Sequence, residues 1–351
     1  MNRSAICESL REAGYNAELD DEESKLCITL VLEERALSFI HEFPNEILRV
    51  PRFDLADGHG FGQLAHVRSF GSGDGGEFCI GDADSMAVNR DRPDLTYRKT
   101  VEEHESLITK LVKQPAFNRE ELLREFDAHW RLLCHGGEGL RELYVAWDGA
   151  ETENLLVKPG RESLKGKSRK NPIILATSLK TDQRAAELRK WTGWNERLYG
   201  ESAIGIRLKY INPAPTVAES LSTWYFNTVT PSALTCPNAL GQLSQRKSKE
   251  HWVVLSAEIP DGNTLFAVRW RSPAKGRLPM SEDDALARRW EVVPYRVRSL
   301  SNASLVPRGG GSLDLGDKSV LLVVCGSVGS EVSCSLTSAG VGKLTIADFD
   351  V

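Results

Sequence analysis

The stretch that decides the fold of one end of the chain is Ser319-Val320-Leu321-Leu322-Val323-Val324-Cys325-Gly326-Ser327-Val328-Gly329-Ser330. Its first six residues predict a buried strand of the parallel type that runs directly into a glycine loop. A helical stretch follows over about 330–338, and Gly340-Val341-Gly342 interrupts it. A second apolar run over 344–348 then predicts another strand. The sequence therefore predicts a strand, a loop, a helix and a strand in succession.

This order of elements suits a nucleotide-binding unit. Glycines let the backbone approach a phosphate, and the start of the next helix offers unpaired N–H groups and the positive end of a dipole. An acidic residue about 20 positions further on can bind a ribose hydroxyl, and Asp348 lies at that distance from Gly329. The candidate nucleotide-binding residues are Gly326, Ser327, Gly329, Asp348 and Asp350. Periodicity alone does not separate a dinucleotide site from an ATP site.

Three strings in this region closely resemble the ThiF-like, ubiquitin-activating adenylyltransferase family: Gly326-Ser327-Val328-Gly329-Ser330-Glu331, Ala339-Gly340-Val341-Gly342 and Asp348-Phe349-Asp350. The resemblance implies the first βαβ unit of a Rossmann-like ThiF domain. Members of that family use ATP and Mg²⁺ to adenylate the C-terminal glycine of a ubiquitin-like protein. Many of them then capture the activated protein on a cysteine.

Two departures from the family pattern limit this expectation. Val324 occupies the position of the family's first glycine, so a Cβ stands where the phosphate loop should be bare. The family's arginine, lysine and magnesium-binding aspartate would follow Val351, so we expect no adenylation and no productive binding of ATP and Mg²⁺ by this chain alone. The alternative is a glycine-turn unit that binds nothing in this state.

A second resemblance covers residues 1–115 and is best over 64–111. A helix over 4–13 and a strand over 26–32 precede a glycine-rich segment over 57–76, which ends in Glu77-Phe78-Cys79-Ile80. This order resembles the bacterial ubiquitin-conjugating-like domains that are fused to ThiF-like domains. The resemblance implies an α+β fold of four strands with flanking helices, in which Cys79 is the catalytic cysteine that accepts a thioester.

The same resemblance matches His66 to the histidine of a His-Pro-Asn element, whereas Val67 and Arg68 replace its proline and asparagine. That asparagine helps to stabilise an oxyanion, so either another donor substitutes for it or transfer to lysine is slow. Two interpretations of Cys79 stay open: a nucleophile that carries an acyl group, and a small buried hydrophobic residue between Phe78 and Ile80. We expect His66 to be a structural, hydrogen-bonding histidine.

Local start signals and periodicity organise the rest of the chain. Capping-box patterns predict helices that begin at Thr100 and at Asn118. Between about 140 and 300, strand-like runs alternate with helical runs over 182–192, 216–226 and 281–290, which predicts an α/β domain of unassigned chemistry. The basic stretch from Lys158 to Lys170 favours a solvated loop. The expected organisation is a ubiquitin-conjugating-like domain over 1–115, a middle α/β domain over 116–300, a linker over 301–317 and an incomplete ThiF-like ATP-binding domain over 318–351.

The composition excludes several classes of protein. Hydrophobic residues make up 41% and charged residues 26%, and a net charge of -5 over 351 residues gives no global attraction to nucleic acid or acidic membranes. Neither a membrane-spanning run nor a signal peptide is recognisable. The seven cysteines contain no Cys-x-x-Cys pair and fit neither a disulfide framework nor a zinc site. We therefore expect a cytoplasmic, reduced protein without a bound metal.

Together these expectations describe ubiquitin-like conjugation, in which an activated protein C-terminus is carried as a thioester on Cys79 and passed to a target. The resembling fused proteins occur in bacterial antiviral operons, including the CBASS type, where that C-terminus belongs to a cGAS-like nucleotidyltransferase. Expected partners are such a C-terminus or a ubiquitin-like protein, protein targets, and a second copy through a complete ThiF-like domain. The alternatives are a non-enzymatic partner-binding protein or inactive fragment, and an oxidoreductase with a dinucleotide on the glycine loop.

Overall fold

The computed structural model describes residues 2–44, 49–69, 73–81, 88–89, 91–136, 139–159, 174–178, 201–216, 221–233, 245–323 and 325–348. The chain is mixed α/β, as the sequence predicts. Its contacts form two compact units. The first contains Met1–Leu133, Ile211–Thr228 and Glu258–Thr264, and the second contains Cys134–Tyr210, Val229–Ala257 and Leu265–Val351.

A six-stranded sheet and four helices make up most of the first unit. In chain order they are α1 (Arg3–Glu12), β1 (Asn16–Leu19), β2 (Lys25–Leu32), β3 (Arg35–Glu42), β4 (Phe53–Leu55), β5 (Val67–Ser69), β6 (Gly76–Phe78), α2 (Pro93–Lys113), α3 (Pro115–Arg124) and α4 (Phe126–Leu133). The strand order is β1-β2-β3-β4-β6-β5, and every pairing is antiparallel. The helix predicted over 4–13 and the strand predicted over 26–32 are confirmed. The sheet exceeds the four expected strands because β5 and β6 pair as a further hairpin.

Alternation along the strands builds the core of this unit. Every second residue of β2 is buried, which is the period of a strand with one face against a core. Helix α2 contributes buried residues at helical spacing, among them Tyr97, Val101 and His104. Phe78 ends β6 inside this core at 2% exposure, so the next side chain, that of Cys79, points the other way.

Two helices begin earlier than their predicted capping boxes. Pro93 lies in the first turn of α2, and Pro115 lies in the first turn of α3. Proline is favoured there because its fixed φ suits the helix and its missing N–H would be unpaired anyway. Thr100 is therefore an interior residue, and its Oγ1 donates to the Thr96 carbonyl oxygen at 2.8 Å. Asn118 likewise lies inside α3, so its side chain is available for contacts outside that helix.

The second unit begins with a short hairpin and continues into a barrel. The hairpin pairs β7 (His135–Gly136) with β8 (Gly139–Leu140). Seven strands close the barrel in the order β10-β11-β9-β15-β14-β13-β12. Their ranges are β9 Glu142–Ala146, β10 Glu153–Pro159, β11 Ile174–Ser178, β12 Glu201–Arg207, β13 Ser248–Ile259, β14 Gly262–Gly276 and β15 Glu291–Ser299. Large side chains such as Trp147 and Trp252 fill the interior, so the barrel is a packed core.

The predicted middle domain keeps its strands but has fewer described helices than the sequence suggests. The strand-like runs at 143–146, 252–255 and 265–268 lie within β9, β13 and β14. The helices predicted over 216–226 and 281–290 correspond to α5 (Leu221–Ala233) and α6 (Glu282–Ala287). The helix predicted over 182–192 and most of the basic stretch, over 160–170, lie outside the described residues.

The predicted strand, helix and strand after residue 318 are confirmed. Helix α7 (Asn302–Arg308) and a 3₁₀ turn (Leu313–Leu315) occupy the segment expected to be a linker. Strand β16 (Ser319–Val323), helix α8 (Ser327–Ala339) and strand β17 (Lys343–Ala347) follow, and the two strands pair in parallel. Helix α8 begins three residues earlier than predicted because Gly326 is its N-cap and accepts the Ser330 N–H at 2.9 Å.

Candidate functional site

Cys79 lies directly after β6, with its side chain exposed. Its backbone N–H donates to the His66 carbonyl oxygen at 2.8 Å, which fixes the direction in which the residue leaves the sheet. The thiol donates to the Gly81 carbonyl oxygen at 3.3 Å. A weak bond of this kind at an exposed sulfur leaves the thiol accessible to a reagent.

A groove of about 310 Å³ opens beside this sulfur. Its walls come from the segment before β4, from the β5–β6 hairpin and from α2. Its volume lies at the lower end of the range for small-molecule sites, so it suits a slender chain. The lining residues are Val50, Pro51, Arg52, Arg68, Glu77, Phe78, Cys79, Ile80, Gly81, Thr100, Glu103 and His104.

Charges of both signs surround the groove. Glu77 lies 3.3 Å from Arg52 and 4.0 Å from Arg68, measured between side-chain nitrogen and oxygen. Both arginines are more than half exposed, at 56% and 61%, so these ion pairs contribute little to stability. The arginines offset Glu77 and Glu103, so charge alone gives this rim little preference for anionic or cationic chains. An exposed arginine, Arg68, stands where the resemblance implies an asparagine.

His104 forms part of the inner wall, and the sequence reveals it only as one more residue on the buried face of α2. Its Nδ1 lies 2.6 Å from the Thr100 carbonyl oxygen, and its ring packs against Phe39, Phe53 and Phe78. Burial lowers the pKa of His104 to about 4, although the bond to Thr100 opposes that shift. The imidazole is therefore neutral at pH 7, and it packs against the Phe78 ring as a neutral core residue.

His66 turns its ring away from the groove and towards α3. Its Nδ1 lies 3.0 Å from Glu125 Oε1, and its Nε2 lies 3.3 Å from Glu121 Oε2. The ring is thus hydrogen-bonded, in keeping with the structural role expected from the sequence. Sequence reasoning misses both carboxylates, because Glu121 fits a helix-capping pattern and nothing local connects Glu125 to residue 66.

The other cysteines differ from Cys79 in exposure. Cys7 and Cys134 are buried, and Cys27 is half-buried. Burial raises the pKa of the Cys134 thiol to about 12 and also raises that of Cys7. Cys325 is half-buried and Cys334 is exposed, whereas Cys236 lies outside the described residues. Cys334 therefore provides an ordinary surface thiol for comparison.

Four of the five candidate nucleotide residues, Gly326, Ser327, Gly329 and Asp348, lie around the turn between β16 and α8. Gly326 caps the helix, and Ser327 and Gly329 lie in its first turn, where N–H groups have no partner within the helix. One Asp348 carboxylate oxygen accepts the Cys325 N–H at 2.7 Å, so the acid reaches back to the glycine turn. Val324 and Asp350 lie outside the described residues.

Known proteins provide no family assignment. The chain matches no protein-family model, and a search of curated proteins finds no significant similarity.

Two further features of the described residues are the grouping of possible metal ligands and the length and apolar content of the helices. Among the described residues, no group of three or more histidine, cysteine or acidic side chains is arranged to hold a metal ion. None of the described helices has the length and apolar content needed to cross a bilayer.

The arrangement around Cys79 permits one type of chemistry most directly. An exposed thiol can ionise and attack an activated carbonyl carbon, because the thiolate is the nucleophilic form of cysteine. The groove beside it has room for the chain that bears that carbonyl. Cys79 is thus a candidate covalent carrier.

Proposed function

We propose that Cys79 carries an activated protein C-terminus as a thioester and that the chain acts in ubiquitin-like conjugation. The exposed Cys79 thiol at the mouth of a groove is the observation that carries this proposal. In the transfer, the thiolate forms a C–S bond to the activated carbonyl carbon and the previous leaving group departs with its electron pair. A target amine then attacks the same carbonyl, and the Cys79 thiolate leaves.

Two parts of the fold support the assignment to a fused conjugating and activating protein. Cys79 follows the last strand of an antiparallel sheet that has helices before and after it in the chain, and this order supports a ubiquitin-conjugating-like domain. The parallel β16–α8–β17 unit with its glycine N-cap fits the opening of a Rossmann-like ThiF domain. ATP and Mg²⁺ would serve the complete adenylation domain. Cytoplasmic antiviral defence, with a cGAS-like nucleotidyltransferase as the carried protein, rests on the sequence resemblance alone.

A non-enzymatic partner-binding role is the second candidate, and one observation favours it. The described residues from 304 to 348 include no buried side chain. Leu321 and Val323 of β16 and Ile346 of β17 are 62%, 54% and 49% exposed. Parallel strands are normally covered on both faces, so this unit presents apolar surface on which a protein could dock.

A peptide thioester tests the carrier function. The probe is a short peptide with a C-terminal glycine as its 2-mercaptoethanesulfonate thioester. We expect the Cys79 sulfur to displace the small thiol and give a mass increase on the Cys79 peptide that dithiothreitol removes. An adduct no faster on Cys79 than on the surface thiol of Cys334 would contradict the carrier function and favour docking.

A further inference from the structure

Helix α3 fixes the position of the loop over residues 63–66, which lies beside Cys79 in the folded chain. The Asn118 amide nitrogen donates to the Gln63 carbonyl oxygen at 2.9 Å, and its amide oxygen accepts the Ala65 N–H at 2.8 Å. One side chain therefore satisfies two backbone groups of residues 63–65. Because Asn118 is inside a helix, the loop is attached to a rigid element.

Glu125 continues this attachment at the next residue. Its Oε2 accepts the His66 N–H at 2.8 Å, and its Oε1 lies 3.0 Å from His66 Nδ1. The same carboxylate thus bonds both the backbone and the side chain of His66. Glu121 reaches the other ring nitrogen, Nε2, at 3.3 Å. We call His66, Glu121 and Glu125 the His66 clamp.

The backbone of His66 needs such contacts. Its φ of +63° lies in the left-handed region, which side chains other than glycine and asparagine adopt at a cost. Such conformations persist where surrounding contacts over-determine them, often next to functional groups. In this conformation the His66 carbonyl oxygen accepts the Cys79 N–H at 2.8 Å. The clamp therefore contacts Cys79 directly through this backbone hydrogen bond.

The protonation state of His66 determines how many hydrogen bonds its ring can donate to the two carboxylates of the clamp. Each ring nitrogen faces a carboxylate, and a neutral imidazole can donate from only one nitrogen. The hydrogen bond to Glu125 is the largest influence and raises the pKa of His66, against the opposing effect of burial. Burial alone would raise the pKa of Glu125, but bonds from His129 and His66 outweigh it and lower that pKa. Arg124 lies 3.3 Å from Glu121, and His129 lies 3.4 Å from Glu125.

We infer that the His66 clamp is a proton-controlled positioning device for Cys79, closed when the imidazole is protonated and loosened when it is neutral. His66 and Glu125 are positioning residues, because neither lines the groove. The inference gains its functional meaning from the proposed carrier role. A thioester would then form on a held cysteine at low pH, where His66 is protonated, and on a more mobile cysteine at high pH, where His66 is neutral.

The direction of the pH effect follows from the raised pKa of His66. The free energy that the clamp contributes is fully present below the ordinary histidine pKa of about 6.5. It is lost as the pH rises through the higher folded pKa, because the proton that lets the ring donate to both carboxylates then leaves.

Hydrogen exchange at the Cys79 amide tests the clamp. The protection factor, corrected for intrinsic exchange, is measured by mass spectrometry on overlapping peptides between about pH 6 and pH 9. In the wild type we expect it to fall about tenfold, the worth of one hydrogen bond to a charged group. The variant His66→Asn keeps a residue tolerant of the left-handed backbone but removes the imidazole. In this variant the protection factor of the Cys79 amide should not change with pH.

Two further variants keep the result decisive. His129→Asn removes a neighbour of Glu125 that does not touch the loop, so the fall in Cys79 protection with rising pH, here called the step, should remain in this variant. Glu125→Gln keeps the side-chain shape without the charge, so in this variant the step should move to lower pH. A flat wild-type profile, a wild-type step retained in His66→Asn, or an unmoved step in Glu125→Gln would each overturn the inference. No acyl donor is present in these measurements, so a failure of thioester transfer and a failure of the clamp are distinguishable.

Discussion

Replacing Cys79 with alanine is expected to abolish the dithiothreitol-sensitive adduct formed from a glycyl peptide thioester. Alanine lacks the sulfur to which the acyl group bonds, and no residue next to it in sequence, Phe78 or Ile80, is a nucleophile. Because Cys79 is exposed, we expect the free energy of unfolding to change by no more than about 0.5 kcal/mol. The adduct is measured by peptide mass mapping after equal exposure of both proteins.

Cys334→Ala is the matched control for this prediction. Cys334 is also exposed but lies in α8, away in sequence from the groove residues. Its loss should remove only a slow surface adduct and leave the adduct on Cys79 unchanged. If Cys79→Ala keeps the full reductant-sensitive mass increase while Cys334→Ala loses it, Cys79 is not the carrier.

The second large effect concerns Gly76, the first residue of β6. A Cβ at this position would lie 2.1 Å from the Arg68 carbonyl oxygen and 2.8 Å from the Ser69 Cα, both backbone atoms. Gly76 also pairs with Leu55 on β4 and with Ser69 on β5, so the strand cannot move aside without breaking one ladder. Overpacking together with an unfavourable φ of +156° should lower the stability by roughly 2–4 kcal/mol in Gly76→Ala.

Urea denaturation of Gly76→Ala measures this loss. Gly62→Ala is the comparison, because Gly62 also has a positive φ of +74° but no atom lies within 4 Å of the place that its Cβ would occupy. It should lose about 1 kcal/mol, the cost of the backbone conformation alone. Equal losses of stability in the two variants would contradict the close approach of the Arg68 and Ser69 backbone to Gly76.

Local periodicity is enough to predict several elements. The alternation of β2 and the helical spacing of α1 follow directly from which residues are apolar, so both are predicted to within one residue. The glycine-turn unit is predicted for the same reason, since an apolar run, a glycine turn and a second apolar run are contiguous. These elements depend on neighbours in sequence.

Long-range pairing cannot be predicted in this way. The barrel pairs β9 in parallel with β11 and with β15, across long intervening segments. It also pairs β10 with β12, in the antiparallel direction. No local pattern specifies which strands pair, so the sequence suggests only an α/β domain. The predicted helix starts are wrong because Thr100 and Asn118 fit capping boxes, whereas Pro93 and Pro115 set the true starts.

The site is predictable in part. The sequence leaves Cys79 between two interpretations, because its neighbours Phe78 and Ile80 are both apolar. The burial of Phe78 in the core places the following side chain outward, and this can be known only once the sheet's inner face is known. The carboxylates around His66 come from a helix more than fifty residues later in the chain, and such a contact leaves no signal in one sequence.

Alkylation of the native protein by iodoacetamide tests the central claim most directly, namely that Cys79 presents its sulfur to solvent. Rates are read cysteine by cysteine by peptide mass mapping, with the buried Cys7 and Cys134 as unreactive internal references. We expect Cys79 to react at least as fast as the surface thiol of Cys334 and far ahead of the two buried thiols. A Cys79 that stays unmodified alongside Cys7 and Cys134 would contradict the carrier account.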